Sequence, residues 1–273
     1  MQKETPAHKP RKRFGQNFLQ DQNIIGRLVT AINPQQGDNM VEIGPGQAAL
    51  TTPLLEKIGH MHAVELDRDL ITLLEATMAP KGLTIHACDA LKFDFSTLLD
   101  NNAPLRVVGN LPYNISTPLL FHLLTYEQRV KDMHFMLQLE VVDRLAAGPG
   151  SKTYGKLSVI TQYYCQIDKL FNVPPGAFFP PPKVMSAIVR LVPRKFSVTA
   201  NDETALQQLV TTSFSQRRKT LRNNLKQLLN AEQLDTLAEL IDANVSLNIK
   251  LSDRPETLSV EDYVTLSNII VTL

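Results

Sequence analysis

Asn110-Leu111-Pro112-Tyr113-Asn114 follows the apolar run Leu105-Arg106-Val107-Val108-Gly109. In four consecutive positions it offers an amide oxygen, a backbone carbonyl, a proline that has no N–H, and an aromatic face. Those groups suit a flat base with an exocyclic amine. The ring can stack on Tyr113 while the amino hydrogens point at the Asn110 side-chain oxygen and the Leu111 carbonyl. An ordinary turn after a buried strand can have the same composition, so the reading needs support from elsewhere in the chain.

Support lies upstream. A short apolar strand, Met40 to Ile43, runs into Gly44-Pro45-Gly46, and a helical pattern starts near Ala48. Glycine there lets the backbone turn sharply and leaves no Cβ in the way of a ligand. A second strand, Met61 to Val64, ends in Glu65-Leu66-Asp67. Glu65 stands 21 positions after Gly44, about the offset at which a carboxylate meets a ribose hydroxyl pair. A third strand, Leu83 to Cys88, ends in Asp89, and the fourth ends in Asn110. In an open α/β sheet the carboxyl ends of the strands form the ligand crevice, so these positions line one site. Each has a plainer alternative as a turn or a helix cap, and Asp67 fits a cap, with Leu70, Ile71 and Leu74 following at helical spacing.

These motifs need elements to hold them. An Asp21-capped helix with Ile24, Ile25, Leu28, Val29 and Ile32 on one face precedes the first strand and stops at Asn33-Pro34. After the fourth strand come a helix at 116–124, a strand at 133–137, a helix near 140–146 and a strand at 166–173. The segment 173–184, with five prolines, reads as a stiff surface loop, and a strand at 186–192 closes the sheet. From Asp202 the pattern is wholly helical. The chain therefore divides into an α/β domain, 1–197, with helices on both faces of its sheet, and a small all-helical domain, 198–273.

Composition narrows the class. No apolar stretch in the 273 residues is long enough to span a bilayer, and the start has no apolar signal-peptide core. Cys88 and Cys165 have neither pairing nor metal-ligand spacing, and the six histidines are scattered. The expectation is a cytoplasmic, reduced, metal-free protein, monomeric by default. A net charge of +1 conceals two basic patches. One is Lys3, Lys9, Arg11, Lys12 and Arg13; the other is Arg217, Arg218, Lys219, Arg222 and Lys226, which has no acid within it. Arg218, Arg222 and Lys226 make an i, i+4, i+8 row of like charge, which costs stability and suits a polyanion better than a solvated face.

Taken together, these segments resemble the ribosomal RNA adenine N6-dimethyltransferases, and among them the bacterial small-subunit (16S) enzymes. The likeness runs through residues 11–19, the glycine turn at 42–46, Glu65-Leu66-Asp67, residues 109–118, Phe178 with Pro180-Pro181-Pro182-Lys183-Val184, and residues 217–222. Two positions depart from it: Leu139, where lysine is usual, and Met185, where aspartate is usual. The resemblance implies a Rossmann-like class I methyltransferase fold with S-adenosylmethionine as donor. It places Asn17 and Leu19 over the methionine end, Gly44 and Gly46 beneath the ligand, Glu65 with Leu66 at the ribose, and Asp89 with Ala90 at the adenine. Asn110 would sit between donor and acceptor, with Leu111 and Pro112 beside it, and Phe178 would stack on the flipped base opposite Tyr113. The basic residues Arg11, Lys12, Arg13, Arg217, Arg218, Lys219, Arg222 and Lys226 would hold RNA, and the expected partner is small-subunit ribosomal RNA in a partly assembled 30S particle.

Three rivals stay open at this level. Gly44-x-Gly46-x-x-Ala49 with Glu65 also fits a nicotinamide-dinucleotide fingerprint, although that leaves residues 110–113 and the basic helix without a role. A large-subunit methyltransferase of the antibiotic-resistance type shares the Asn-Leu-Pro-Tyr signature. A ribosome-assembly factor on the same fold would use binding more than catalysis.

Overall fold

A computed structural model describes residues 16–99, 103–112, 115–194, 198–244, 247 and 249–273. Arg11, Lys12, Arg13 and Tyr113 lie outside the described residues. The chain forms two compact units, Met1–Val142 with Asp168–Pro193, and Asp143–Ile167 with Arg194–Leu273.

The first unit opens with a two-residue strand, β1 (Phe18–Leu19), and helix α1 (Gln22–Ile32). Asp21 caps α1 by accepting the N–H groups of Asn23 and Ile24 at 2.8 and 3.1 Å. Ile24, Ile25, Leu28, Val29 and Ile32 form its buried stripe, and Asn33 ends it in a left-handed conformation. Next come β2 (Asn39–Ile43), α2 (Thr51–Ile58), β3 (Met61–Glu65), α3 (Arg68–Thr77), β4 (Leu83–Ala87), β5 (Leu105–Asn110), α4 (Ser116–Leu124), β6 (Val130–Gln138) and α5 (Leu139–Leu145). Helix α2 starts three residues later than the pattern suggests, because Ala48 has a φ of 64° and prolongs the glycine turn. After α6 (Lys156–Tyr164), which belongs to the second unit, come β7 (Cys165–Val173), β8 (Phe178–Phe179) and β9 (Ser186–Pro193).

Seven strands form one sheet in the order β4-β3-β2-β5-β6-β9-β7, and helices cover both faces. Strands β4, β3, β2, β5 and β6 run parallel, and β9 is antiparallel to β6. Register brings the strand ends level: Ile43 faces Val64 and Gly109, Glu65 faces Ala87, and Asn110 faces Met136. Gly109 makes this close approach possible, since a Cβ there would lie 2.5 Å from the Ile43 carbonyl oxygen. From β5, the buried Arg106 donates to both carboxylate oxygens of Asp132, at 2.8 and 2.9 Å, and also to Asp38 and to the carbonyls of Ile32 and Asn33. One guanidinium thus ties α1, the α1–β2 turn, β5 and β6 together.

The proline-rich segment is not wholly a surface loop. Phe178–Phe179 pairs antiparallel with Phe18–Leu19, and Ala177 and Phe178 are buried in the apolar core with Leu19. A proline-free dipeptide between prolines is free to make ladder hydrogen bonds.

The second unit is helical: α6, α7 (Glu203–Ser213), α8 (Leu221–Leu225), α9 (Ala231–Ala243) and α10 (Val260–Ile270). Asp202, Asn230 and Ser259 cap α7, α9 and α10 through their side chains. Division by sequence at 197/198 leaves 143–167 with the α/β part, whereas the structure groups that segment with the helices. Within it Tyr154 is fully buried, and its ring centroid lies 6.3 Å from that of Phe214, itself 5.9 Å from that of Tyr263. Helix α6 escaped the sequence pattern because Leu157, Ser158, Val159, Ile160 and Thr161 are buried all round, which erases a one-sided stripe.

Candidate active site

The level strand ends open into a cleft of about 330 Å³ in the first unit. Its walls include Asn17, Gly44, Gly46, Glu65, Leu66, Asp89, Ala90, Asn110, Leu111 and Pro112, so ten of the positions singled out from sequence converge on one site.

Each is positioned by a local cause. Gly44 and Gly46 have φ of 68° and 58°, in the left-handed region that side chains disfavour. A Cβ on Gly46 would also sit 3.0 Å from the Phe18 ring. The turn thereby presents bare backbone to the cleft. Glu65 leaves β3 with its Oε1 accepting the N–H groups of Leu66 and Asp67 at 2.8 and 2.9 Å. Burial pushes this carboxyl above its ordinary range, and the amides of Asp67, Leu66 and Gly46 partly offset that. Its orientation on the cleft wall is thus fixed by the backbone. Leu66 is 49 % exposed on the cleft wall, an apolar face available to a flat ring. Asp89 Oδ1 accepts the Leu91 N–H at 3.0 Å, which holds that carboxylate at the start of its loop.

Asn110 completes the set. Its Nδ2 donates to the Asn17 carbonyl at 2.9 Å, so the side-chain Oδ1 is the atom left to accept from a substrate. The same bond joins β5 to the segment before β1, where Asn17 and Phe18 line the cleft. Leu111 is buried and anchored through its N–H to the Met136 carbonyl at 3.2 Å.

Other expected residues fall elsewhere. Leu19 is buried and is not among the walls of the main cleft, but it lines a small adjoining cavity that shares Phe18, Gly44, Gly46 and Asn110 with that cleft. Phe178, expected to stack on a base, is only 5 % exposed, belongs to the core and does not wall the cleft. The basic row does not form as one helical face. Arg218 lies in a turn, α8 ends at Leu225, and Arg222 pairs with Asp235 at 2.6 Å, so an acid answers part of that charge. Arg217, Arg218, Lys219 and Lys226 are exposed and make no ion pair among the described residues.

Three contributors were missed. Phe18 fills the space that glycine leaves at 46. Gln16 reaches Asp67 Oδ2 at 2.9 Å along the rim. Glu42 is wholly buried beneath the glycine turn, accepts from Thr51 Oγ1 at 2.6 Å, and has its carboxyl raised to about 7 by burial, with Glu65 adding to the effect. An acid in the middle of an apolar strand was the available signal for Glu42.

A mixed, mostly parallel sheet with a glycine turn after β2, an acid ending β3 and an Asn-Leu-Pro loop at the end of β5 defines a class I S-adenosylmethionine-dependent methyltransferase. The model of the family described as ribosomal RNA adenine dimethylase matches residues 7–270, and the chain belongs to that family. Its cofactor is accordingly S-adenosylmethionine, and it is a ribosomal RNA adenine dimethyltransferase. The chain is 58 % identical over 264 residues to ribosomal RNA small subunit methyltransferase A of Saccharophagus degradans, covering 96 % of this chain and 95 % of that one. It is 54 % identical over 263 residues to the protein of the same name from Alcanivorax borkumensis, covering 96 % and 90 %. Among solved structures, a dimethyladenosine transferase from Plasmodium falciparum superposes with a TM-score of 0.74 at 26 % identity, over 91 % of this chain and 95 % of that one. Among the described residues no helix is long and apolar enough to cross a membrane.

Proposed function

We propose that the protein methylates N6 of two adjacent adenines near the 3′ end of small-subunit ribosomal RNA. It does so twice on each adenine and late in assembly of the 30S particle, as a cytoplasmic monomer. The names of its relatives support the small subunit over the large. The observation that carries the chemistry is the Asn110 amide, tied back to the Asn17 carbonyl at the mouth of the donor cleft.

The cleft suits the cofactor: bare backbone at Gly44 and Gly46, a carboxylate at Glu65 for the ribose hydroxyls, apolar Leu66 beside it, and Asp89 for the adenine amine. S-adenosylmethionine supplies a sulfonium methyl that is already activated. The difficulty lies in the acceptor, whose N6 lone pair is delocalised into the purine ring. Asn110 Oδ1 and the Leu111 carbonyl take the two amino hydrogens and favour a pyramidal nitrogen, with its lone pair directed at the methyl. Tyr113 stacks on the base. An amide is too weak a base to remove the proton first, so it leaves after transfer, from the cationic nitrogen to water. One hydrogen then remains for Asn110 or Leu111 to hold in the second round. Arg217, Arg218, Lys219 and Lys226, with Arg11, Lys12 and Arg13, supply phosphate contacts.

Replacing Asn110 by alanine is expected to abolish transfer of labelled methyl to unmethylated small subunits, while S-adenosylmethionine binding by calorimetry changes little. Turnover close to wild type in Asn110→Ala refutes the role.

A further inference from the structure

Phe179 is 56 % exposed, the most exposed of the large apolar side chains among the described residues. Its partner across the β1–β8 ribbon is Phe18, while Phe178 faces Leu19. Directly opposed residues of an antiparallel pair project to the same face, and successive residues alternate. Leu19 and Phe178 point into the core. Phe18 packs over Gly46 and lines the donor cleft. Phe179 therefore projects from the same face of the ribbon as Phe18, the face that lines the cleft, without itself being one of the cleft walls.

The surroundings of Phe179 are equally open. Lys183, Val184 and Met185 are exposed, and the Met185 carbonyl accepts the Leu139 N–H at 2.9 Å just past the carboxyl end of β6, whose Met136 pairs with Asn110. Pro180, Pro181 and Pro182 stiffen the chain between the ring and the lysine. An exposed aromatic ring, a cation four residues on and a stiff backbone next to a base-binding cleft match what unpaired nucleic acid requires: a stacking face plus a phosphate contact. Once one base is extruded into a pocket, its neighbour is left without a stacking partner on that side.

We propose that Phe179 is the stacking platform for the nucleobase next to the target adenine, with Lys183 contacting the phosphate beside it. Phe179 is thus a positioning residue for the RNA; it touches neither the methyl nor the accepting nitrogen. The proposal rests on the adenine-dimethylase reading of the cleft, and the test separates the two.

The full-length protein and its Phe179→Ala, Phe179→Leu and Phe179→Trp variants are assayed with labelled S-adenosylmethionine on unmethylated small-subunit particles. Stacking at this level predicts a rise in KM for particles of about tenfold in Phe179→Ala and Phe179→Leu. It also predicts kcat within about twofold, unchanged S-adenosylmethionine affinity and thermal midpoint, and near-wild-type KM in Phe179→Trp. If Phe179→Leu restores the wild-type KM, apolar contact with a ribosomal protein explains the surface and the platform is overturned. Equal KM in all four proteins overturns it too, as does a loss of cofactor affinity or stability parallel to the loss of activity. Wild-type protein that transfers no label overturns the dimethylase reading and the platform together.

Discussion

Glu42 provides a test of how the donor site is built. Its carboxyl is enclosed by β2, the glycine turn and Thr51, and burial raises it from its ordinary 4.5 to about 7. A carboxyl raised in the fold holds its proton where the unfolded chain has already released it. Between pH 4.5 and 7 the unfolded state therefore gains relative to the folded one, and stability declines as pH rises through that window. Once pH exceeds both values the decline is complete, at about 3 kcal/mol for a difference of this size. Glu42→Gln keeps the side-chain shape and an acceptor for Thr51 but carries no charge at any pH. Relative to wild type, the variant is expected to gain about 3 kcal/mol between pH 4 and pH 8, with most of the gain falling between pH 5 and 7. Denaturant unfolding of both proteins at pH 4.5, 5.5, 6.5 and 8, followed by a probe in the first unit, measures this; any constant offset from altered packing cancels in the pH dependence. Parallel stability profiles for the two proteins would refute the reasoning, because Glu42 would then titrate alike in the folded and unfolded chain.

Arg106→Met leaves Asp132 and Asp38 facing each other without their shared cation, and a loss of about 3–5 kcal/mol in denaturant unfolding is expected; a change below 1 kcal/mol would show that the cluster contributes little. Gly46→Ala forces a positive φ on a residue with a Cβ and pushes that carbon against the Phe18 ring. Calorimetry should show S-adenosylmethionine affinity reduced at least about tenfold, the equivalent of 1.4 kcal/mol. Changing Arg217, Arg218 and Lys219 together to alanine is expected to weaken RNA binding and flatten its salt dependence, by about 0.7–0.9 in the log–log slope for each phosphate no longer neutralised. An unchanged slope would place the RNA elsewhere.

How legible each feature was depended on how local its cause is. Helix α1 was readable to the residue because its cap, its stripe and its stop are neighbours in sequence. The strand ends at Ile43, Glu65 and Asn110 were equally legible, since each apolar run stops at a polar or glycine residue with its own local role. Helix α6, buried on every side, carried no such contrast. The basic row failed for a different reason: its i, i+4, i+8 spacing presumed a helix three turns long, and α8 supplies just over one.

By itself the sequence determined the motifs and the order in which they meet the sheet, and so the donor cleft and the family, because glycine turns, strand ends and helix caps are short-range events. Only the tertiary structure decided which of two adjacent phenylalanines is buried in the core and which is exposed. That choice depends on a register, Leu19 opposite Phe178, formed between segments about 160 residues apart. The same applies to Glu42, whose acidity is set by what surrounds it, and to Arg106, whose three partner segments are distant in sequence. A side chain's neighbours across the fold fix its charge and direction, and those neighbours exist only once the chain has folded.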